Sequence, residues 1–92
     1  MVHELVWAAE ARQDMRDIFT FISEHNPSAA EQLEKLILDG AERAAALPYA
    51  YRSGRVPGTR ELIVHPNYIL VFQVMPARVR MLRVLHARRH YP

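Results

Sequence analysis

Arginine is the residue type best placed to do chemistry in this sequence, and it is unevenly distributed. Residues 1–51 hold four basic and nine acidic residues, a formal charge of −5, whereas residues 52–92 hold eight arginines against Glu61 alone, a charge of +7. A guanidinium binds phosphate or carboxylate through two parallel hydrogen bonds, so this field favours a nucleic acid or an acidic protein segment as partner. A basic, solvated sheet face is the alternative that charge leaves open.

Proton transfer in that basic half would depend on histidine, since the only lysine is Lys35 in the acidic half. A metal-free ribonuclease must deprotonate a 2′-hydroxyl, stabilise a charged phosphorane and protonate the leaving oxygen. His65, or His86 beside Arg88, could take part in this, but His86 could equally be a half-buried histidine that holds the C-terminal tail. The chain lacks cysteine, and no two histidines lie one turn apart on a predicted helix, so we expect no metal and no cofactor.

Two helices and a first strand are predicted in the acidic half. Residues 2–7 are rich in β-formers and predict a strand. An apolar stripe then predicts a helix over residues 8–25, and Asn26-Pro27 ends it and caps a second helix. The small residues Gly40, Ala41 and Ala44 on the second helix predict that the two helices approach closely as an antiparallel hairpin. The first stripe consists of Met15, Ile18, Phe19 and Ile22.

Three strands are predicted in the basic half, after a loop over residues 47–58. Residues 59–65, 68–75 and 79–86 are rich in β-branched and aromatic side chains, with proline-containing turns between them, which predicts an antiparallel meander. The middle run has apolar side chains at both odd and even positions, so both faces of this strand should be covered. The strand should therefore lie at the centre of the sheet. The expected fold is α+β with the order β-α-α-β-β-β: one domain, residues 1–92, with a helical hairpin on one face of a curved, mainly antiparallel sheet.

Short motifs occur in a fixed order along nearly the whole chain: Trp7-Ala8, Asn26-Pro27 with Ala29-Ala30, Gly54-Arg55, Gly58-Thr59-Arg60-Glu61-Leu62, Pro66-Asn67-Tyr68-Ile69-Leu70-Val71-Phe72, and Leu82-Arg83-Val84-Leu85-His86-Ala87-Arg88-Arg89 through Pro92. In this order and at these separations they resemble the RelE/ParE toxins. The resemblance implies the same β-α-α-β-β-β fold. It also implies a growth-arresting toxin of a type II toxin–antitoxin module, of the kind that stabilises plasmids, neutralised by a cognate antitoxin and reaching operator DNA only through it.

Members of that family divide into ribosome-dependent ribonucleases that cut mRNA and poisons of DNA gyrase, so the fold does not decide the target. A histidine-based nuclease branch carries His and Asp where this chain has Ile63 and Asn67, neither of which transfers protons. This favours a ParE-like gyrase inhibitor without catalysis. The alternatives are an mRNA interferase acting on the ribosome with a reduced site of Arg60, Arg83 and His86, and a degenerate member that binds only its antitoxin.

Two binding surfaces are expected. Phe21 lies off the apolar stripe of the first helix and would be an exposed aromatic. We therefore expect the antitoxin to dock its C-terminal helix or strand in the groove between the helical hairpin and the sheet and to cover this residue. The antitoxin-binding residues are predicted to be Ile18, Phe19, Phe21 and Ile22. The target-binding residues are predicted to be Arg55, Arg60, Arg83, Arg88, Arg89, His90 and Tyr91.

The chain start lacks a signal peptide, and no apolar run could span a bilayer, so we expect a cytoplasmic protein with no membrane contact.

Overall fold

The computed structural model describes residues 3–92, and within them two α-helices pack on one five-stranded sheet. This confirms the predicted α+β fold and its element order. The first strand begins at Glu4, and Val2 lies outside the described residues. The elements are β1 (Glu4–Trp7), α1 (Ala9–Ser23), α2 (Pro27–Ala46), a single 3-10 turn (Pro48–Ala50), β2 (Arg52–Ser53), β3 (Arg60–His65), β4 (Tyr68–Met75) and β5 (Arg78–His86).

The sheet has the strand order β1-β5-β4-β3-β2. The pair β1 and β5 is parallel, whereas β5, β4 and β3 form the predicted antiparallel meander. Strand β4 is central, and its four consecutive residues 69–72 are all buried, which confirms that both of its faces are covered. The two-residue strand β2 was predicted as loop, because a segment this short shows no periodicity.

Both helix boundaries between α1 and α2 follow local chemistry. Asn26 caps α2 by accepting a hydrogen bond from the Ala29 N–H through its side chain at 3.1 Å, and Pro27 occupies the first turn. Helix α1 is shorter than predicted: Ala8 is extended and α1 ends at Ser23. Within residues 3–92, neither helix is long and apolar enough to cross a membrane.

Gly40 permits a close approach, but to the sheet rather than to the other helix. A β-carbon added there would overlap Cγ1 of Val64 and touch Leu62 and Leu70, which lie on β3 and β4. The prediction that Gly40 brings the two helices together was therefore wrong. The glycine instead lets α2 lie directly on the sheet.

A bulge in β5 shifts the side-chain alternation of its second half. Val71 of β4 pairs with Arg83 and its neighbour Phe72 pairs with Met81, so Leu82 is an extra residue. As a result Met81 and Val84, three positions apart, are both buried in the core. A regular strand would place residues 82, 84 and 86 on one face, but because of the bulge Leu82 lies outside the core that contains Val84.

Candidate target-binding surface and adjacent groove

The C-terminal tail, residues 87–92, is held by two arginines of the sheet region. The Arg55 guanidinium donates to the Arg89 backbone carbonyl at 2.9 Å. The guanidinium carbon of Arg83 lies 5.9 Å from the centre of the Tyr91 ring, a cation–π contact. Six of the seven predicted target-binding residues thus belong to the tail or contact it: Arg55, Arg83, Arg88, Arg89, His90 and Tyr91.

Arg83 is also paired with Asp14 of α1. Its Nε and Nη2 donate to the two carboxylate oxygens at 2.7 and 3.0 Å, and the Val84 N–H donates to the same carboxylate at 2.9 Å. Strand β1 ends at Trp7, opposite Met81. Beyond that point a side chain of α1, and not a neighbouring strand, accepts the hydrogen bond from the backbone at the edge of β5. The hydrogen bonds that Arg83 donates to the Asp14 carboxylate raise the pKa of Arg83 above its usual value. Arg83 therefore joins α1, β5 and the tail.

Arg55 is similarly engaged by a buried carboxylate. Glu61 is 4% exposed and accepts hydrogen bonds from the Arg55 N–H at 2.8 Å and from Arg52 Nη2 at 3.3 Å. The Arg55 Nε lies 3.7 Å from the same carboxylate. Sequence reasoning missed this pairing, although Glu61 as the single acid of the basic half was the available signal. A buried carboxylate requires such partners, so Arg52 and Arg55 neutralise Glu61.

Arg60 lies apart from the tail. It pairs with Phe72 across β3 and β4, whereas His86 pairs with Tyr68, four residues further along β4 and hence about 13 Å away along the strand. Arg60 donates through Nη1 to the Tyr51 carbonyl at 2.7 Å. The structure therefore does not bring Arg60, Arg83 and His86 together into one compact site.

The His86 imidazole is exposed, so the half-buried alternative was wrong for its burial. Its Nδ1 accepts from the Arg88 N–H at 3.2 Å, so His86 does hold the start of the tail. The ring packs edge-on against Tyr68 at 5.4 Å between centres. In the neutral imidazole the proton is then on Nε2, the nitrogen left for another partner. No three histidine, aspartate or glutamate side chains of residues 3–92 lie close enough together to hold a metal ion.

A groove of about 240 Å³ separates α1 from the adjoining ends of β4 and β5. Phe21 is 67% exposed, which confirms the prediction that it is an exposed aromatic residue on the first helix. Ile18 and Phe21 lie on one side of the groove, with His86 and Arg89 on the other. Phe19 and Ile22 instead line a narrow gap between α1 and α2, which Ile18 also reaches. The predicted antitoxin residues are thus divided between two neighbouring depressions.

Comparison with known proteins agrees with this fold. The model of the family described as the ParE toxin of the type II toxin–antitoxin system parDE matches residues 5–91. The sequence is 29% identical over 86 residues to Toxin RelE2 of Caulobacter vibrioides, covering 94% of this chain and 97% of that protein.

Two solved structures have the same fold at low sequence identity. The chromosomal ParDE toxin–antitoxin system of P. aeruginosa superimposes with a TM-score of 0.81 at 19% identity, covering 92% of this chain and 96% of the other. The RelBE2 toxin–antitoxin complex of Mycobacterium tuberculosis gives 0.71 at 17% identity, with 97% and 95% covered. Because the family model spans nearly the whole sequence, this chain belongs to the ParE toxin family and is the toxin of a type II toxin–antitoxin module.

Proposed function

We propose that this toxin arrests growth by binding DNA gyrase and trapping the enzyme on cleaved DNA, without catalysis of its own. The separation of Arg60 from His86 along the sheet, together with the engagement of Arg83 by Asp14, supports this proposal most strongly. A metal-free ribonuclease needs acid, base and phosphate-stabilising groups within about 3 Å of the reacting atoms. The described residues offer instead a fixed tail with exposed Arg88 and Arg89, which suits binding.

The alternative function is a ribosome-dependent mRNA endoribonuclease, and the exposure of His86 favours it. His86 shares the groove with Arg89, so an imidazole and a cation lie near one another. On this alternative His86 would transfer a proton, and Arg60 and Arg83 would stabilise phosphate charge. Arg83 would have to leave Asp14 to do so, and Arg60 would have to act on a phosphate about 13 Å along the strand from His86.

Replacing His86 with glutamine separates the two functions. We expect the His86→Gln protein to keep its toxicity and its inhibition of gyrase supercoiling, because a toxin that acts by binding does not need His86 to transfer a proton. An acid–base nuclease would lose about 10² to 10⁴ in rate. Growth arrest, induction of the SOS response and supercoiling by purified gyrase are the measurements. Codon-phased cleavage of mRNA on purified ribosomes, lost in the His86→Gln protein, would establish the alternative.

The partner of this toxin is a cognate antitoxin, and we propose that it docks an apolar helix or strand into the groove beside α1. Phe21 carries this proposal, because its ring is exposed next to Ile18, Tyr68 and Val84, which also line the groove. An apolar groove with an exposed aromatic on one wall suits a partner's amphipathic segment. The same segment would cover His86 and Arg89. A bound antitoxin would therefore block part of the proposed target-binding surface.

The Phe21→Glu substitution should weaken antitoxin binding about tenfold or more, because burying a phenylalanine side chain contributes about 1.5 to 3 kcal/mol. Leu47→Glu provides a matched control, since Leu47 is 68% exposed and does not line the groove. Titration calorimetry on the purified pair would measure both affinities. Equal affinity of the Phe21→Glu and native proteins would exclude this docking site.

A further inference from the structure

Arg60 and Tyr49 form a second cluster of functional groups, separate from the C-terminal tail. They line a cavity of about 400 Å³ together with Ser53, Thr59 and Val74 and the glycines of the β2–β3 loop. This volume lies within the range of about 300 to 1,000 Å³ that small-molecule sites occupy. The groove beside α1 and the buried Glu61 take no part in it. The cavity is therefore separate from the groove and from the ion pairs of Glu61.

The charge of Arg60 is not neutralised by any carboxylate among residues 3–92, whereas Arg52, Arg55, Arg78 and Arg83 each form an ion pair there. One N–H of Arg60 donates to the Tyr51 carbonyl at 2.7 Å, and its guanidinium carbon lies 4.9 Å from the centre of the Tyr49 ring. A guanidinium carries five N–H donors, so most of them remain for another acceptor. Arg60 is held in place without being neutralised, which suits recognition of an anion.

The loop that forms the rim of the cavity is fixed by its own hydrogen bonds. The Gly54 N–H donates to the Thr59 carbonyl at 2.7 Å, and the Thr59 hydroxyl donates to the Val56 carbonyl at 2.6 Å. A β-carbon at Gly54 would overlap the Thr59 side chain, so only glycine allows this closure. The walls of the cavity are therefore formed before any ligand arrives, which lowers the ordering cost of binding.

We propose that this cavity binds a nucleotide unit, with the phosphate on Arg60 and the base stacked on Tyr49. Tyr49 is 68% exposed, and because the Arg60 guanidinium lies over one face of its ring, the opposite face is left for a base. Aromatic stacking combined with an arginine is how proteins hold single nucleotides without reading sequence. The unit could be a free nucleotide or an unpaired nucleotide within a strand. The inference rests on the proposed function in that it assigns a ligand to Arg60, a member of the target-binding set.

Fluorescence anisotropy with a labelled single strand of about ten nucleotides tests this site on the full-length toxin. Arg60→Gln and Tyr49→Leu should each weaken binding about tenfold or more, because each removes one of the two contacts. Arg78→Gln removes the same charge from an exposed position, and Tyr49→Phe keeps the ring, so both should stay within about twofold of the native protein. Thermal melting of each variant shows that it is folded, and Arg60→Lys replaces Arg60→Gln if the latter unfolds.

The source of the nucleotide follows from competition with adenosine monophosphate. Displacement of the labelled strand by the monophosphate would identify a free nucleotide as the ligand, and displacement only by unlabelled single strand would identify an unpaired strand. No binding of either probe would overturn the inference, as would an Arg78→Gln protein as weak as Arg60→Gln, which would indicate diffuse charge attraction. Gyrase is absent from this titration, so a negative binding result would not bear on inhibition of supercoiling. A toxin that failed to inhibit supercoiling could in turn still bind the nucleotide in this cavity.

Discussion

Reversing the charge of both Arg88 and Arg89 to glutamate is expected to abolish toxicity while the protein remains folded. Both side chains are exposed, and the tail is held through the Arg89 backbone carbonyl, which the substitution leaves in place. Surface substitutions of this kind usually change stability by under about 0.5 kcal/mol. A like-charge contact with an anionic target costs several kcal/mol, which corresponds to at least about a hundredfold loss of affinity.

A matched reversal on α1 tests whether position or net charge causes that loss. Arg12 and Arg16 are exposed, and replacing both with glutamate changes the net charge by the same four units. We expect that protein to stay toxic when expressed without antitoxin, because neither residue adjoins the tail. Colony counts after induction and supercoiling assays with purified gyrase measure both variants. Equal loss of toxicity in the two variants would contradict a target-binding role for the tail.

The elements of the fold were predictable because each has a strong local cause. Strand β4 is apolar on both faces, and this continuous apolar run predicted its bounds, Tyr68–Met75. The capping residue Asn26 followed by Pro27 predicted where α2 begins. The bulge at Leu82 and the short strand β2 were not predictable, since neither leaves a periodic pattern. The position of Gly40 against the sheet depends on tertiary packing that helical spacing does not encode.

The candidate site was predicted less well than the fold. The sequence identified an arginine field, and the structure shows that its members differ in state: Arg83 and Arg55 are paired with carboxylates, whereas Arg60 is held by a carbonyl and an aromatic ring. Asp14 lies 69 residues from Arg83 and has the usual appearance of a solvated helix residue. Only the end of β1 at Trp7, which exposes the edge of β5 to α1, makes that carboxylate a partner.

The Asp14→Asn substitution should therefore destabilise the protein considerably. The carboxylate accepts three hydrogen bonds, and the side chains of Asp14 and Arg83 are only 12% and 22% exposed. Breaking a fully buried pair costs about 3 to 5 kcal/mol, and partial exposure reduces this to about 2 to 3 kcal/mol. For a domain of this size the melting temperature should fall by roughly 10 °C or more, measured by circular dichroism.

Two further variants distinguish the ion pair from a general effect of substituting α1. Asp17→Asn serves as control, because Asp17 is exposed and, within residues 3–92, its side chain is bound only by Gln13 on the same helix. The stability of that variant should differ from the native protein by under about 0.5 kcal/mol. Adding Arg83→Met to Asp14→Asn should restore part of the lost stability, since no unpaired charge then remains. If Asp14→Asn melts at the native temperature, the pair does not stabilise the fold. Arg83 would then be free to bind a target, which would favour the ribonuclease alternative.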